Sequence, residues 1–481
     1  MKHDGRPDRR TVAVIGGGVA GLAAAFLLKD AGVAVTVLEG SPRLGGKLSV
    51  SDVAGVPVDA GAEALLARRP EGVGLIGELG LTGDLQTPGT TSAGIWTRGR
   101  IRPLPRRHFM GVPADFDALA VTGILSADGL TRARQDLSLP DSARDGDESV
   151  TSRVGGRFGP EVVDRLVEPL LGGVYAGRCE DLSFDATLPG LAQAARGHRS
   201  LTQAAASLLP PEPLPEQAAT SAPAVFTTLT SGLGTLPAAL AKASGADIRT
   251  SAMARELVRT GTGWRLTVGS AHDPQPVNAD AVIIAVPGRP ASRLLADVPG
   301  SASAAAALAE IRYASMAIVT LAYPDAAFSA PVGGSGFLVP AVDGRAVKAV
   351  TFSTAKWPHL RQSEPGLHIV RCSVGRLGEE AVLQRDDDEL AALAAADLCD
   401  ATGVQGEPVD VRVSRWGGGL PQYSVGHLDR IARIRAGVAT QPGLAVCGAA
   451  YDGVGIPACI ATARLAVDQV LAYLGSLEMS V

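Results

Sequence analysis

Two glycine-rich turns carry the residues with the clearest chemistry in this chain. The first is Gly16-Gly17-Gly18-Val19-Ala20-Gly21, a G-x-G-x-x-G run. In that spacing the first glycine permits a tight turn, the second lets a phosphate approach the backbone, and the last lets a helix pack closely on a strand. A diphosphate then sits on the positive end of a helix dipole. Glu39 follows 18 residues after Gly21, where a carboxylate can accept both hydroxyls of a ribose. The second turn is Gly448-Ala449-Ala450-Tyr451-Asp452-Gly453-Val454-Gly455-Ile456. Its glycines let backbone N–H groups approach a flat ring, ahead of a helix starting near Pro457. Other chemistry has less support. Cys179, Cys372, Cys399, Cys447 and Cys459 are scattered without C-x-x-C spacing, so neither a disulfide framework nor zinc is expected and a reducing cytoplasm fits. His108, His198, His272, His359 and His368 show no metal-ligand spacing, and no metal is expected. His427 is expected to hydrogen-bond backbone rather than to transfer a proton. Cys447 and Cys459 could be offered as a cofactor tether, but one falls in a strand and the other in a helix, and both read as buried structural thiols.

These turns need elements to hold them. Thr11 to Ile15 reads as a strand, Leu22 to Asp30 as a helix and Val33 to Leu38 as a second strand, a βαβ unit in about 30 residues. Asp280 to Pro287 and Gly443 to Cys447 are further buried strands, and a helix runs from about Cys459 to Leu474. The stretch from about 100 to 205 is more helical, including Glu161 to Leu171, and Leu209 to Pro223 is a Pro-rich connector. Ala314 to Arg376 holds β-rich runs that suggest an antiparallel sheet. The fold class expected is therefore α/β, α+β overall.

Composition sets the outer bounds. With 44 Lys and Arg against 49 Asp and Glu, and no long run of either sign, the chain lacks the basic face of a nucleic-acid binder. The apolar run Val12 to Leu28 after a charged start imitates a secretory signal. It is too short and glycine-rich for a good spanning helix, which needs ~20 apolar residues, so it reads as strand, turn and helix.

After Glu39 come Ser41-Pro42-Arg43-Leu44-Gly45-Gly46-Lys47 and then Asp59-Ala60-Gly61-Ala62-Glu63. This string resembles the flavin amine oxidase superfamily, which implies FAD, bound without a covalent link. The C-terminal Gly448 to Ile460 segment narrows the resemblance to the protoporphyrinogen/coproporphyrinogen oxidase family, most like its Gram-positive and actinobacterial coproporphyrinogen III oxidases. The likeness continues through Glu168 to Gly177, Ser231-Gly232-Leu233-Gly234, Lys356-Trp357-Pro358-His359, Val374-Gly375-Arg376, Arg415-Trp416, Pro421-Gln422-Tyr423 and Gly426-His427. Three positions depart from the family pattern: Ala458 stands where Asp is usual, Ser231 replaces a glycine, and Gly94 falls near a substrate-binding Arg of mitochondrial and plant members.

The resemblance implies a set of site residues. Gly16, Gly17, Gly18, Ala20, Gly21, Glu39, Gly40, Gly46, Lys47, Gly61, Ala62, Glu63, Ala254, Trp416, Gly448, Val454, Gly455 and Ile456 would meet FAD. Gly173, Tyr175, Gly336, Phe337, Leu338 and Cys372 would meet the substrate, although Leu338 and Cys372 are equally good core residues by pattern. The basic stretch Arg98 to Arg107 reads as a solvated loop. No side chain is singled out as catalytic, because the flavin carries the redox chemistry. Residues 1–75, 239–288 and 413–481 would form a Rossmann-type FAD domain. Residues 76–95, 211–238 and 289–412 would form a mixed-sheet substrate domain, and 96–210 a helical one. The implied reaction is oxidation of coproporphyrinogen III to coproporphyrin III in haem biosynthesis. It removes six electrons and reduces three O2 to three H2O2. Protoporphyrinogen IX is the alternative substrate, a desaturase or amine oxidase on another substrate the alternative enzyme, and a porphyrin carrier the non-enzymatic rival. Hand-over to a ferrochelatase and at most peripheral membrane contact, near Phe109-Met110, complete the expectations.

Overall fold

A computed structural model describes residues 9–140, 146–211 and 224–478. Five short parallel strands form the nucleotide-binding layer, in the order Asp247–Arg249, Ala34–Leu38, Thr11–Ile15, Ala281–Ile284 and Leu444–Val446. The four strands inside the edge strand Asp247–Arg249 are nearly all apolar because both faces are covered. One face packs the helix Val19–Leu27 against the helix Ile456–Glu478, with Leu22, Ala23, Phe26, Ile460, Ala463 and Val467 in one core. The first helix starts three residues earlier than its pattern suggests, since Gly18 already caps it and the last glycine of the turn lies inside it. The C-terminal helix has the length and composition of a membrane span over Ile456–Leu477. Half of that window is buried inside the protein, as in a core helix.

A seven-stranded mixed sheet forms the second layer, in the order Asp410–Pro421, Tyr313–Pro324, Leu367–Val374, Val347–Phe352, Gly336–Leu338, Gly94–Thr97 and Arg100–Pro103. Val319 pairs with Cys372, and Cys372 with Val350, which aligns the three central strands residue by residue. Side chains alternate between the two faces of such strands. Ala317, Val319, Val350, Phe352, Val370, Cys372 and Val374 share one face and pack on Leu390, Ala394 and Leu398 of the helix Asp387–Thr402. The opposite face is free to line a site.

Two expected domain boundaries need correction. Strands Gly94–Thr97 and Asp410–Pro421 run through residues 95/96 and 412/413, because both complete the seven-stranded sheet. The elements described between Phe116 and Ser207 are helical. The expected helix Glu161 to Leu171 is broken into Pro160–Val162, a wide π-type turn at Val163–Val167 and the helix Glu168–Tyr175. Pro169 supplies the cause, since its ring conflicts with the carbonyl four residues back, at Arg165, and it offers no N–H. Most of the Pro-rich connector lies outside the described residues.

Candidate active site

A single cavity of about 650 Å³ joins the glycine cradle to the free face of the seven-stranded sheet. Its first wall comes from the βαβ unit. Gly16 adopts φ +111°, and a Cβ on Gly21 would stand 2.0 Å from the Gly16 carbonyl oxygen, so only glycine brings helix and strand this close. Gly16, Gly18 and Ala20 line the cavity, and a Cβ on Gly18 would meet nothing within 4 Å. Gly17 and Gly21 do not line it. The Gly17 N–H is spent on Glu39 Oε2 at 2.7 Å, while Ser41 N–H donates to Glu39 Oε1 at 2.7 Å. Gly17 therefore orients the carboxylate that faces the cavity instead of meeting a ligand itself. Gly40 packs against Met253, and Ala254 packs into the core under the parallel sheet, so both leave the expected set.

Gly46, Lys47, Gly61, Ala62 and Glu63 form the next wall. Burial pushes the Lys47 ammonium below its usual range, and among the described residues no carboxylate or carbonyl bonds to it. Glu63 is held by Lys356 Nζ at 2.6 Å and by the Arg371 guanidinium. Burial alone would raise its carboxyl, but the two cations outweigh burial and lower it to about 2. Arg371 Nη2 also donates to the Gly61 carbonyl at 2.6 Å. Trp416 lines the cavity with its Nε1–H on the Ala60 carbonyl at 3.0 Å.

Gly448, Val454, Gly455 and Ile456 close the cavity at the start of the C-terminal helix. This turn is braced from behind. Tyr423 O–H donates to the Ala449 carbonyl at 2.8 Å and accepts the Gly453 N–H at 2.7 Å. His427 stacks on the Tyr423 ring at 3.8 Å and bonds the Tyr451 carbonyl through Nε2 at 3.0 Å. Burial lowers His427 to about 4, which keeps it neutral and suits a backbone donor. Cys459 lines the cavity, but burial raises its thiol to about 11, so it stays protonated and unreactive near neutral pH.

The cradle fits a dinucleotide. It offers an open backbone face at Gly18, an oriented carboxylate at Glu39, a helix N-terminus at Gly455 and, at Lys47, a half-buried cation with no hydrogen-bond partner among the described residues.

Beyond the cradle the cavity becomes a slot between Gly173 and Val174 on one side and Met316, Ile318, Ala349, Thr351, Arg371, Ser373 and Leu420 on the other. Here several expected substrate residues are displaced. Cys372 faces the opposite core because strand side chains alternate, and Arg371 and Ser373 take the cavity face. Phe337 is likewise buried between Trp96 and Phe352. Gly336 serves strand packing, since a Cβ there would stand 2.0 Å from the Val350 carbonyl oxygen. Tyr175 is buried against Tyr423, 5.3 Å between rings. Leu338 shares the slot face with its cross-strand partner Ala349 and lies at the slot's edge, its Cδ2 3.7 Å from where a Gly173 Cβ would stand. Of the six, Gly173 lines the cavity. Arg371 was missed, although one signal was legible: Arg371 and Ser373 are polar, same-face residues of a strand, Leu367–Val374, whose only other polar residue is His368 on the opposite face.

The departures also find reasons. Gly94 has no room for an arginine, because even a Cβ would meet Ile101 Cγ2 at 2.6 Å. Ser231 is exposed, while the following Leu233 and Gly234 N–H groups bind Asp59, so the turn survives the substitution. Arg98 pairs with Glu161 at 3.0 Å outside the cavity. Phe109 and Met110 pack partly against the helical core.

The sheet register gives a direct test. Cys372→Ala should cost about 1 kcal/mol of stability and leave the Michaelis constant unchanged. Ser373→Phe should keep its flavin but raise the Michaelis constant roughly tenfold or more, as bulk enters the slot. Steady-state kinetics on both variants decide which residue faces the substrate.

The profile of the flavin containing amine oxidoreductase family matches residues 19–471. Coproporphyrinogen III oxidase of Mycobacterium tuberculosis is 37% identical over 468 residues, covering 96% of this chain and 97% of that one. The Bacillus subtilis protein of the same name is 32% identical over 476 residues, covering 97% and 99%. A crystal structure from Exiguobacterium sp. 255-15, provisionally named protoporphyrinogen oxidase, superposes with a TM-score of 0.84 at 30% identity and covers 97% of this chain and 100% of that one.

Proposed function

Because the chain belongs to the flavin-containing amine oxidoreductases, and within them to the coproporphyrinogen/protoporphyrinogen oxidase family, we propose that it oxidises coproporphyrinogen III to coproporphyrin III with O2 as acceptor. At the level of class it is a flavin-dependent porphyrinogen oxidase of haem biosynthesis. FAD, held non-covalently, supplies the two-electron redox chemistry. The observation that carries the proposal is the apolar slot that continues directly from the dinucleotide cradle within one cavity.

The chain's own residues bind and orient. Gly16, Gly18 and Lys47 receive the diphosphate side, and Glu39 the ribose. Gly455 and Ile456 present a helix N-terminus where negative charge is favoured. Val174, Met316, Ile318, Ala349 and Leu420 offer two apolar faces about a flat macrocycle and exclude water from it. Arg371 is bound to Glu63 and Gly61, so it shapes the wall and offers no free guanidinium to a carboxylate. The carboxylate arms of the substrate therefore point toward the mouth. A cytoplasmic location is part of the proposal, supported by five unpaired cysteines. A ferrochelatase would take the product.

Porphyrin fluorescence from purified protein given coproporphyrinogen III and protoporphyrinogen IX in parallel under air, with peroxide counted, tests the reading. Faster coproporphyrin formation, with three peroxides per ring, is expected. A preference for protoporphyrinogen would overturn the substrate, and no oxidation above the spontaneous rate would overturn the activity.

A further inference from the structure

The motif Lys356-Trp357-Pro358-His359 lies outside the catalytic cavity apart from the Lys356 contact with Glu63, and it needs its own explanation. Trp357 and His359 line a second, small chamber of about 20 Å³, together with Pro57, Asp59, Glu63, Thr228, Ser353 and Arg371. Glu63 and Arg371 belong to both cavities, so they are the partition between them.

Four residues of this chamber carry a buried polar atom with no partner among the described residues: Arg371 Nε, Trp357 Nε1, Ser353 Oγ and His359 Nδ1. A buried donor or acceptor left unsatisfied is costly, so four around one void are a strong demand for a guest. The volume decides which guest. A void of this size admits one water, for which ~10–15 Å³ suffices. An anion is opposed by the two carboxylates, Asp59 and Glu63, in the same wall. A water offers two lone pairs and two protons, which complements two N–H donors with a hydroxyl and a ring nitrogen.

We propose that this chamber is a built site for one ordered water, which links the Glu63–Arg371 partition through Asp59 to the partly exposed His359. The link is a proton path to the surface. A proton reaching His359 from solvent turns Nδ1 from acceptor to donor, and the water releases one of its two N–H donors to receive that proton as it gives one of its own to the Asp59 carboxylate. One N–H and one O–H bond break, two O–H bonds form, and the water is left unchanged.

The surroundings of Asp59 suit this role. It accepts N–H bonds from Leu233 at 2.9 Å and Gly234 at 2.8 Å, at the start of the helix Leu236–Ser244. Arg371 faces it from the strand Leu367–Val374, Glu63 from the loop after Val56–Asp59, and His359 from the short helix Pro358–Ser363. Burial raises the Asp59 carboxyl to about 6, against the backbone bonds and Arg371 and with some help from Glu63, and burial lowers His359.

The flavin-loaded enzyme can be tested without measuring turnover, so the outcome is independent of which porphyrinogen it oxidises. A crystal structure should show one water in hydrogen-bonding contact with Trp357 Nε1 and Arg371 Nε. Infrared titration should show a protonated-carboxyl band, absent from Asp59→Asn, with a midpoint of about 6. Trp357→Phe keeps the ring but removes the donor, and Ser353→Ala removes the hydroxyl with little change of shape. At least one should lose or displace the water and move that midpoint by about half a pH unit or more. A dry chamber in the wild type overturns the proposal, as does a midpoint that both variants leave in place.

Discussion

Replacing Glu63 by Gln is expected to destabilise the fold by about 3–5 kcal/mol, because it strands two buried cations, Lys356 and Arg371, that now share one carboxylate. The loss should extend to flavin retention, since Arg371 also fastens the Gly61 carbonyl to the cavity wall. Urea denaturation of the variant beside the wild type measures the effect, and a loss below about 1 kcal/mol would reduce this cluster to a solvated surface pair. The acid limb supplies a second check. Glu63 falls from its usual 4.5 to about 2 in the folded state, so its contribution is complete above about 4.5 and is lost as pH falls toward 2. That shift corresponds to roughly 3 kcal/mol. Asp59 acts in the opposite sense: its carboxyl is raised to about 6, so its contribution is full below about 4 and disappears as pH rises through 6. The Gln variant should lose the steep acid limb between pH 4.5 and 2 and retain the shallower slope near 6.

Lys47→Met should change two quantities in opposite directions. The flavin-free protein gains stability, about 1 kcal/mol, because a half-buried ammonium, disfavoured by desolvation and without a hydrogen-bond partner among the described residues, is replaced by an apolar chain of similar length. Flavin affinity falls roughly 10–100-fold, the cost of a charge-assisted hydrogen bond worth ~1.5–3 kcal/mol. Thermal unfolding of the apoprotein and fluorescence titration with FAD measure the two separately. A variant that loses stability in both forms would show that Lys47 is a structural cation and that its partner lies in the protein.

Local features of the sequence were sufficient for the cradle. Gly16, Gly18, Gly21 and Glu39 act through backbone turns and a fixed strand-to-strand distance, so their spacing carries their geometry. The same holds for the Gly448–Gly455 turn, which opens the helix Ile456–Glu478. His427 was legible as a backbone partner because it lies beside Tyr423 in a short segment that returns to that turn.

The slot was not legible in the same way. Whether Arg371 or Cys372 faces the cavity depends on which side of the strand Leu367–Val374 meets the helix Asp387–Thr402, and a shift of one residue exchanges the two faces. Gly336 and Phe337 were read as ring-contacting residues, yet their neighbours are Val350, Trp96 and Phe352, which lie on other strands or far along the chain. The Lys356–Glu63–Arg371 cluster joins residues some 290 to 310 positions apart. By itself, then, the sequence determined the family, the glycine-rich turns of the cradle and the class of chemistry, all written in short-range spacing. The tertiary structure alone decided which face of the seven-stranded sheet meets the substrate, which charges are paired and where a buried chamber remains, because those follow from strand register and long-range packing.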